Sequence, residues 1–347
     1  MTRRVGPLLA GTVAAVLALG ACDATAEGSA SSSPQHGQAA PQRTTSSEVV
    51  RPKYVELAQA VTAKGGRVWV ESDLVKAWRS GPAAYADALA IVTSLADRDG
   101  VEGVKVADEL GYDDGLDLAS ARKFLAQVTG DLRSRLPSRK LMVDMIVPEL
   151  GCLAWRDASP DKGKKDCAAS EDRKNPAATI SALDGYVQAG WLDVLNLSAG
   201  LRTPVEYAMW GTSRDDAMTA IWTEAQRRWS GRVVLQARKA LAHPGRYDGS
   251  AQDAEADVHT YVDIPVAHGA KAVDIWTWSQ PYKGGTYQLT DPGLGSNALM
   301  AALDARRAKG VQLWTHMTPS SLQRGLDQDV SAAVRTFGTI LVASGTG

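Results

Sequence analysis

Carboxylates follow two short apolar runs near the middle of the chain. Asp108 and Glu109 come directly after the first run, and Glu149 follows the second. A further acid, Asp144, lies inside the second run. In α/β folds the chemistry collects at the carboxyl ends of strands, and paired carboxylates are suited to donating and accepting protons. These residues therefore indicate acid–base chemistry at one edge of a sheet.

The segment that carries these acids has the pattern of a strand, a helix and a second strand. Val104–Ala107 and Leu141–Val147 have strand length, and Leu118–Leu136 between them has helix length. The alternation continues along the chain and predicts eight strands. These are Arg67–Asp73, Val104–Ala107, Leu141–Val147, Leu192–Ser198, Val233–Arg238, Ala270–Ser279, Val311–His316 and Thr339–Ala343.

Eight strands that alternate with helices predict an α/β fold of the (β/α)8 TIM-barrel type. No helix pattern follows the last strand, and a helix at Lys53–Ala63 before the first strand is expected to cover that position. An open, doubly wound sheet is the alternative fold. No glycine-rich phosphate motif follows the first strand, which disfavours it.

Side chains alternate in direction along each predicted strand, so one set faces the helices and the other faces the barrel interior. The outward set is almost wholly aliphatic. The inward set collects charged, amide and tryptophan side chains from seven strands. It includes Glu71, Asp73, Lys105, Glu109, Asp144, Asn196, Arg238, Asp274, Trp276, Trp278, Trp314 and His316.

Burying an unpaired charge is costly, so a barrel built for stability alone would not collect so many of these groups. They therefore indicate a site at the barrel mouth. The alternative is a structural network in which Lys105 and Arg238 neutralise Glu71 and Asp144.

Two carboxylates beside tryptophan side chains suit glycoside hydrolysis, in which one acid protonates the leaving oxygen and the other attacks or activates water. We expect Glu109 to be the proton donor and Asp144 or Glu71 to be the base or nucleophile, with Asp274 a further candidate. Substrate contacts are expected from Asp108, Glu149, Asn196, Arg238, Trp276, Trp278, Tyr282, Trp314 and His316.

In this pattern the chain resembles the broad (β/α)8 glycoside hydrolase superfamily, from about Val68 to Ala343. The common family with an Asn-Glu motif after strand four and a Glu after strand seven is not matched, because those strands supply Asn196 and His316. The chitinase-type DxxDxDxE run is also missing from the sequence. The resemblance implies a hydrolase of a less familiar branch.

The amino-acid composition limits the classes of ligand that this protein is expected to bind. The formal net charge of -1 offers no electrostatic reason to bind nucleic acid. The 10 Trp and 9 Tyr against 2 Phe favour side chains with one wet edge, such as sugar platforms. The 5 His are scattered without metal-ligand spacing, so no metal and no cofactor is expected.

The start of the chain has the pattern of an export signal. Arg3 and Arg4 precede an apolar run that ends in Leu19-Gly20-Ala21-Cys22. This ending resembles a bacterial lipobox, which implies that residues 1–21 are removed and that Cys22 is lipidated at the extracytoplasmic face of a membrane. Residues 22–48 are small and polar and are expected to be a tether, and 49–347 a single barrel domain. Export by the general or the twin-arginine route stays open.

Two further cysteines, Cys152 and Cys167, flank a polar loop. A disulfide there would close a loop of about 15 residues and add roughly 3 kcal/mol of stability. A metal pair is the alternative, but no other Cys or His lies near at ligand spacing. We expect the bridge to shape one wall of the active-site cleft.

Two functions are therefore weighed. The first is a surface-anchored glycoside hydrolase acting on an extracellular or cell-envelope polysaccharide. The second is a glycan-binding lipoprotein without catalytic activity on the same barrel. The paired acids favour the first, and the unmatched family motifs favour the second.

Replacing Cys22 with Ala should move the protein from the detergent phase to the aqueous phase in detergent phase partitioning, because the thiol that carries the lipid is gone. Wild type and variant are compared after expression in a bacterium that lipidates exported proteins. Equal partitioning of the two would disprove the anchor at Cys22.

Overall fold

The structure is a computed structural model that describes residues 51–112, 114–236, 241–282 and 285–346. The expected signal segment 1–21, the lipidation site Cys22 and the expected tether up to residue 48 all lie outside the described residues, as do residues 49 and 50. Arg238, expected to contact substrate, also lies outside them.

Eight of the described strands run parallel and close into a barrel, which confirms the (β/α)8 prediction. Strands are numbered in chain order. The barrel strands are β1 (Arg67–Glu71), β2 (Val101–Lys105), β3 (Lys140–Ile146), β4 (Val194–Ser198), β5 (Val233–Gln236), β7 (Val273–Ile275), β10 (Leu313–Met317) and β11 (Thr339–Ala343). They follow one another around the ring in this order, and β11 pairs with β1 to close it.

Helices surround this ring and connect successive strands. The described α-helices are α1 (Pro52–Ala63), α2 (Leu74–Arg79), α3 (Pro82–Ala96), α4 (Leu118–Arg135), α5 (Pro148–Cys152), α6 (Lys162–Lys174), α7 (Ile180–Gln188), α8 (Pro204–Met209), α9 (Arg214–Trp229), α10 (Ala251–Val258), α11 (Ile264–Ala267), α12 (Ala298–Ala308) and α13 (Leu326–Thr336). A π turn, His259–Asp263, joins α10 to α11, and a 3-10 turn, Pro319–Ser321, precedes α13. In the described parts of the chain, no helix has the length and apolar character needed to span a membrane.

The outward faces of the strands form the main hydrophobic core, as the alternation predicts. Val68 and Val70 of β1, together with Val104 of β2, are fully buried against the helices. Burying each such side chain stabilises the fold by about 1.5–3 kcal/mol. This aliphatic layer holds the helices on the barrel and leaves the inward positions for other side chains.

The first helix covers the barrel beside its first and last described strands. α1 packs against β1, β11 and α13, and Leu57 and Val61 on its inner face are fully buried. The expectation that a helix before the first strand fills this position is confirmed.

A small antiparallel sheet lies beside the barrel and is not predicted by the sequence pattern. It consists of β6 (His243–Pro244), β8 (Ser279–Tyr282) and β9 (Gly285–Gln288), in the order β6–β9–β8. The predicted sixth barrel strand, Ala270–Ser279, is therefore too long. Its regular part ends at Ile275, and the chain turns out of the barrel through a cis peptide bond between Trp276 and Thr277.

Cys152 and Cys167 form a disulfide with a Cα–Cα distance of 5.6 Å, as the sequence predicts. The bridge joins the end of α5 to α6. Its expected place at the active-site cleft is not confirmed, because none of the residues from 152 to 167 lines the cleft at the barrel mouth.

Replacing both cysteines with Ser should lower the free energy of unfolding by about 3 kcal/mol, the loop-entropy value for a closed loop of this length. Urea unfolding of the double variant and the oxidised wild type, followed by circular dichroism, measures the difference. A matched control is the wild type with the bridge reduced, which should resemble the variant. An unchanged unfolding midpoint would show that the bridge adds no stability.

Candidate active site

Lys105 lies at the centre of the polar barrel interior. Its side chain is fully buried, and its Nζ lies 2.6 Å from Glu71, 2.9 Å from Asp108 and 3.7 Å from Asp144. Burial alone would lower the pKa of this ammonium group, but the charges of Asp108, Glu71 and Asp144 outweigh it and raise the pKa well above its ordinary value. Lys105 is therefore a permanent cation that neutralises the acids around it.

His316 forms a second cationic centre next to the first. Its Nδ1 lies 3.0 Å from each carboxylate oxygen of Glu71, and its Nε2 lies 2.9 Å from Asp274. Burial opposes the charge, but the carboxylates of Asp274 and Glu71 outweigh it and raise the pKa of His316 to about 10. Both ring nitrogens are thus protonated and donate to carboxylates at neutral pH.

The acids in this network have different protonation states. Burial raises the pKa of Glu71, but His316 and Lys105 outweigh it and lower the value to about 2. The charge of Lys105 also holds the pKa of Asp108 below its usual range. Burial raises the pKa of Asp144 well above its ordinary value, and its carboxyl group is hydrogen-bonded to Asp108. Glu71 and Asp108 are therefore ionised, whereas Asp144 holds its proton more tightly than an ordinary carboxyl group.

Asn196 connects the network to the far side of the barrel. Its Nδ2 donates to Asp274 over 2.5 Å, and both side chains are fully buried. These positions confirm that part of the predicted inward set converges, namely Glu71, Lys105, Asp144, Asn196, Asp274 and His316. They also match the structural network in which Lys105 neutralises Glu71 and Asp144.

A cleft of about 560 Å³ opens above this network at the carboxyl ends of the strands. Its walls come from the loops after β1, β2, β7, β10 and β11. The polar and aromatic residues that line it include Tyr54, Glu71, Ser72, Asp73, Asp108, Trp276, Thr277, Gln280 and His316. The side chain of Asp108 is about half exposed (53%) and that of Glu71 is 22% exposed. Both ionised acids can therefore be reached from the cleft.

Asp73 is the acid in the cleft that our choice of catalytic residues missed. Its Oδ1 is buried and has no hydrogen-bond partner among the described residues. Burial, reinforced by the charge of Asp108, raises the pKa of its carboxyl group. The sequence does point to Asp73, because the alternation that turns Glu71 inward on the predicted first strand also turns Asp73 inward.

Glu109 and Glu149 do not line the cleft, in contrast to the expectation from the sequence. β2 ends at Lys105, so the strand alternation no longer applies at Glu109, which adopts a left-handed backbone with φ of 50°. Glu149 lies in the first turn of α5, and its Oε2 accepts a hydrogen bond of 2.8 Å from the backbone N–H of Ile180. The first four backbone N–H groups of a helix have no partner within the helix. Glu149 accepts the hydrogen bond of one of them at the start of α7.

Asp144 and Asp274 lie in the barrel interior, but at a depth that separates them from the cleft. Both are fully buried, and neither is among the residues that line the opening. Asp274 contacts His316 and Asn196. Asp144 raises the pKa of Lys105, and Asp274 raises that of His316. Neither acid can contact a substrate in this cleft in this arrangement.

Of the three tryptophans expected to stack on sugars, only Trp276 lines the cleft. Its Nε1 donates to Gln280 over 3.1 Å, and its ring packs edge-on against Tyr282 at 5.6 Å between centroids. Tyr282 therefore supports the platform from β8. Both residues have partial exposure.

Trp278 and Trp314 do not lie at the barrel mouth, so the expectation that they contact a substrate there is wrong. Trp278 is fully buried outside the barrel and donates to Asp329 of α13 over 3.0 Å, because the regular strand ends before it. Trp314 does point inward, but it is the second residue of β10 and stacks on Trp69 at 5.8 Å near the opposite end of the barrel. Neither can form part of the mouth.

Among the described residues, no group of three or more His, Cys, Asp or Glu side chains is arranged to hold a metal ion. The acids of the interior are instead occupied by the ammonium of Lys105 and the imidazolium of His316. The arrangement offers ionised carboxylates, one carboxyl group with a raised pKa and an aromatic platform around a water-accessible cleft.

No protein-family model matches this sequence, and no curated protein sequence is significantly similar to it. Solved structures with distant similarity include 7,8-dihydropteroate synthase from Vibrio fischeri ES114, at 12% identity and a TM-score of 0.41 over 81% of this chain and 88% of that one. HMG-CoA lyase from Brucella melitensis aligns at 14% identity and a TM-score of 0.42, over 79% of each chain.

The β-glycosidase from Thermosphaera aggregans aligns at 9% identity and a TM-score of 0.39, over 80% of this chain and 86% of that one. These proteins differ from one another in chemistry, and likeness at this level carries no function over to this chain. The barrel itself follows from the strand pairing described above.

The raised pKa of His316 predicts that stability depends on pH above neutrality. The folded protein holds this proton more tightly than the unfolded chain, whose value is near 6.5. The contribution is therefore complete below pH 6.5 and is lost as the pH rises through 10. We expect a His316→Gln variant to be less stable than wild type near pH 6, with the difference shrinking toward pH 10.

Urea unfolding of both proteins between these pH values measures the difference. His259→Gln is the matched control, because the His259 side chain is 55% exposed and lies outside the barrel interior. If the His316 variant differs from wild type by the same amount at every pH, the ring is not held as a cation.

Proposed function

We propose that the mouth of this barrel hydrolyses glycosidic bonds by carboxylate acid–base catalysis. The observation that carries the proposal is the contrast between two acids of the same cleft, Glu71 and Asp73. The pKa of Glu71 is lowered to about 2, whereas that of Asp73 is raised by burial. Two carboxyl groups with pKa values driven apart by their surroundings are suited to opposite roles in glycoside hydrolysis.

The roles follow from the protonation states. Glu71 and Asp108 are ionised, so neither can donate the proton to the leaving oxygen. The pKa of Asp144 is also raised, but this residue is fully buried and does not line the cleft. Asp73 lines the cleft and has the raised pKa that a proton donor needs. We therefore assign Asp73 as the acid, in place of Glu109.

Glu71 is assigned as the nucleophile or the base that activates water. Its carboxylate is held by Lys105 at 2.6 Å and by His316 at 3.0 Å, which fixes its orientation toward the cleft. Asp108 is held by the same ammonium at 2.9 Å. It carries a second negative charge that can stabilise the positive charge developing on the sugar ring in the transition state.

Trp276 supplies the surface on which a sugar ring would stack. Its ring is positioned by Gln280 and Tyr282, and its partial exposure leaves area for a ligand. Sugar rings have apolar faces that pack on aromatic side chains while their hydroxyl groups stay hydrated. This supports a carbohydrate over other substrates of similar size.

A second candidate is glycan binding without catalysis. One observation favours it: both oxygens of Glu71 already contact His316, and one also contacts Lys105. A carboxylate with so many partners is a weaker nucleophile than a free one. The same cleft and the same tryptophan would then bind a glycan that the protein does not cut.

For either function we propose that the protein works outside the cytoplasm, attached to the membrane through a lipid on Cys22. The lipobox-like sequence and the polar tether after it support this location. The disulfide between Cys152 and Cys167 is of a kind that persists in oxidising compartments. An extracellular or cell-envelope polysaccharide is the substrate that such a position would meet.

Glu71→Gln and Asp73→Asn should each lower turnover at least about a hundredfold, because each change removes a charge or proton and keeps the shape. The purified full-length protein is first screened for release of reducing ends from polysaccharides, and the variants are compared on the best substrate. Glu109→Gln is the matched control and should retain turnover close to that of wild type.

Unchanged folding is checked by thermal unfolding of each variant. Near-wild-type turnover in Asp73→Asn, together with a large loss in Glu109→Gln, would return the donor role to Glu109. Binding of a glycan without release of reducing ends in the wild type would favour the non-catalytic candidate.

A further inference from the structure

We propose that a second groove, on the other side of the barrel mouth, binds an uncharged saccharide chain. It has a volume of about 620 Å³ and shares no lining residue with the cleft described above. This site rests on the proposed function only for the class of ligand. Its walls are built by four parts of the chain: the loop after α5, the start of α6, the residues that follow α8 and the outer face of α9.

Two tryptophans form the aromatic surface of this groove. Trp155 and Trp210 both line it, and both are partly exposed. A partly exposed indole offers an apolar face to a ligand while its edge stays in contact with water. A groove of this volume can hold several sugar rings, since ligand sites of about 300–1,000 Å³ hold molecules of that size.

Both rings are held in place before any ligand arrives. The Nε1 of Trp155 donates to the carbonyl oxygen of Leu150 over 3.0 Å. Trp210 packs edge-on against Tyr207 at 5.8 Å, and the hydroxyl of Tyr207 donates to the carbonyl of Gly151 over 3.0 Å. Fixed side chains lose little conformational entropy on binding, which raises affinity.

Gly163 allows Trp210 to take this position. A Cβ atom at residue 163 would lie only 2.9 Å from the Nε1 of Trp210, which is closer than side chains normally approach. Trp155 and Gly163 both belong to the segment closed by the Cys152–Cys167 disulfide. The disulfide therefore constrains the segment that forms one wall of this groove. The bridge lies beside this groove and not beside the cleft at the barrel mouth.

The charges of the groove indicate an uncharged ligand. The side chain of Lys164 pairs with Asp157 at 3.2 Å, and Glu224 pairs with Arg228 at 2.6 Å. The charged residues of the lining are two cations, Arg156 and Lys164, and three anions, Asp157, Asp216 and Glu224, so their formal sum is only -1. Thr212, Thr219 and Thr223 also line the groove. Hydroxyl groups and paired ions beside indole faces match the alternating apolar and hydroxyl surfaces of a neutral sugar chain.

The groove lies at the same end of the barrel as the cleft. α5 follows β3 and α8 follows β4, so the loops that build the groove leave the carboxyl ends of their strands. The cleft is built by loops from the same end on other strands. A polysaccharide that extends across this face can contact both sites, so the groove would hold a long chain near the cleft.

The test is binding of four neutral hexasaccharides to the purified full-length protein: cellohexaose, xylohexaose, mannohexaose and chitohexaose. Titration calorimetry gives the affinity, and quenching of tryptophan fluorescence reports contact with indoles. We expect at least one to bind, and Trp210→Ala to weaken it at least about tenfold. The double replacement of Cys152 and Cys167 by Ser should also weaken it. Met209→Ala is the matched control, because Met209 is 71% exposed, adjoins Trp210 and does not line the groove.

The outcomes separate this proposal from the proposed function. Failure of all four saccharides to bind the wild type, or equal affinity in Trp210→Ala and wild type, would overturn the groove. If binding is lost in Trp276→Ala and kept in Trp210→Ala, the saccharide occupies the cleft, so the groove is overturned and the proposed function stands. If Trp210→Ala weakens binding and Asp73→Asn leaves turnover unchanged, the groove stands and the acid assignment falls.

Discussion

The buried ammonium group of Lys105 determines the state of the whole barrel interior. An isolated charge there would be strongly destabilising, so the cation and its three carboxyl partners have to be present together. Removing Lys105 alone would take one cationic partner from Glu71, which keeps His316, and the ion-pair partner from Asp108, at a cost of up to about 3–5 kcal/mol. These ion pairs, together with that of His316, keep Glu71 and Asp108 ionised. Asp73 has no such ion pair among the described residues and is the acid lining the cleft whose pKa is raised. Lys105, together with His316, thus sets the charge state of the acids around it.

Strand alternation predicts well whether a side chain points into the barrel, but it predicts poorly where along the barrel axis that side chain lies. It correctly brings together the inward residues on regular strands, which are Glu71, Lys105, Asp144, Asn196, Asp274 and His316. It fails where a strand ends early, as at Glu109 after β2 and at Trp278 after β7. It also contains no measure of height, so Trp314 is assigned to the mouth although it lies near the other end. Strand ends are set by loop and hairpin contacts, which a single-sequence pattern does not contain.

The excess of tryptophan has two explanations in the structure. Several indole N–H groups serve as internal donors, for example Trp69 to Glu102, Trp229 to Asp184 and Trp278 to Asp329. Phenylalanine could not make these bonds, so part of the composition is structural. Trp276, Trp155 and Trp210 are partly exposed and line cavities. The inference from composition to sugar binding therefore applies to this second group alone.

The pairing of β1 with β11 joins residues that are far apart in sequence, such as Arg67 and Thr339. A contact of such long range closes a large loop and is entropically expensive, so we expect it to form late in folding. Until β11 is available, β1 has an unpaired edge and α1 lacks part of the surface it covers. During synthesis, which starts at the N-terminus, β1 therefore keeps an unpaired edge that can associate with other chains until β11 has been made. Truncations that remove only β11 should accordingly yield open, association-prone barrels, and a chaperone that shields strand edges would assist this protein until its last strand docks.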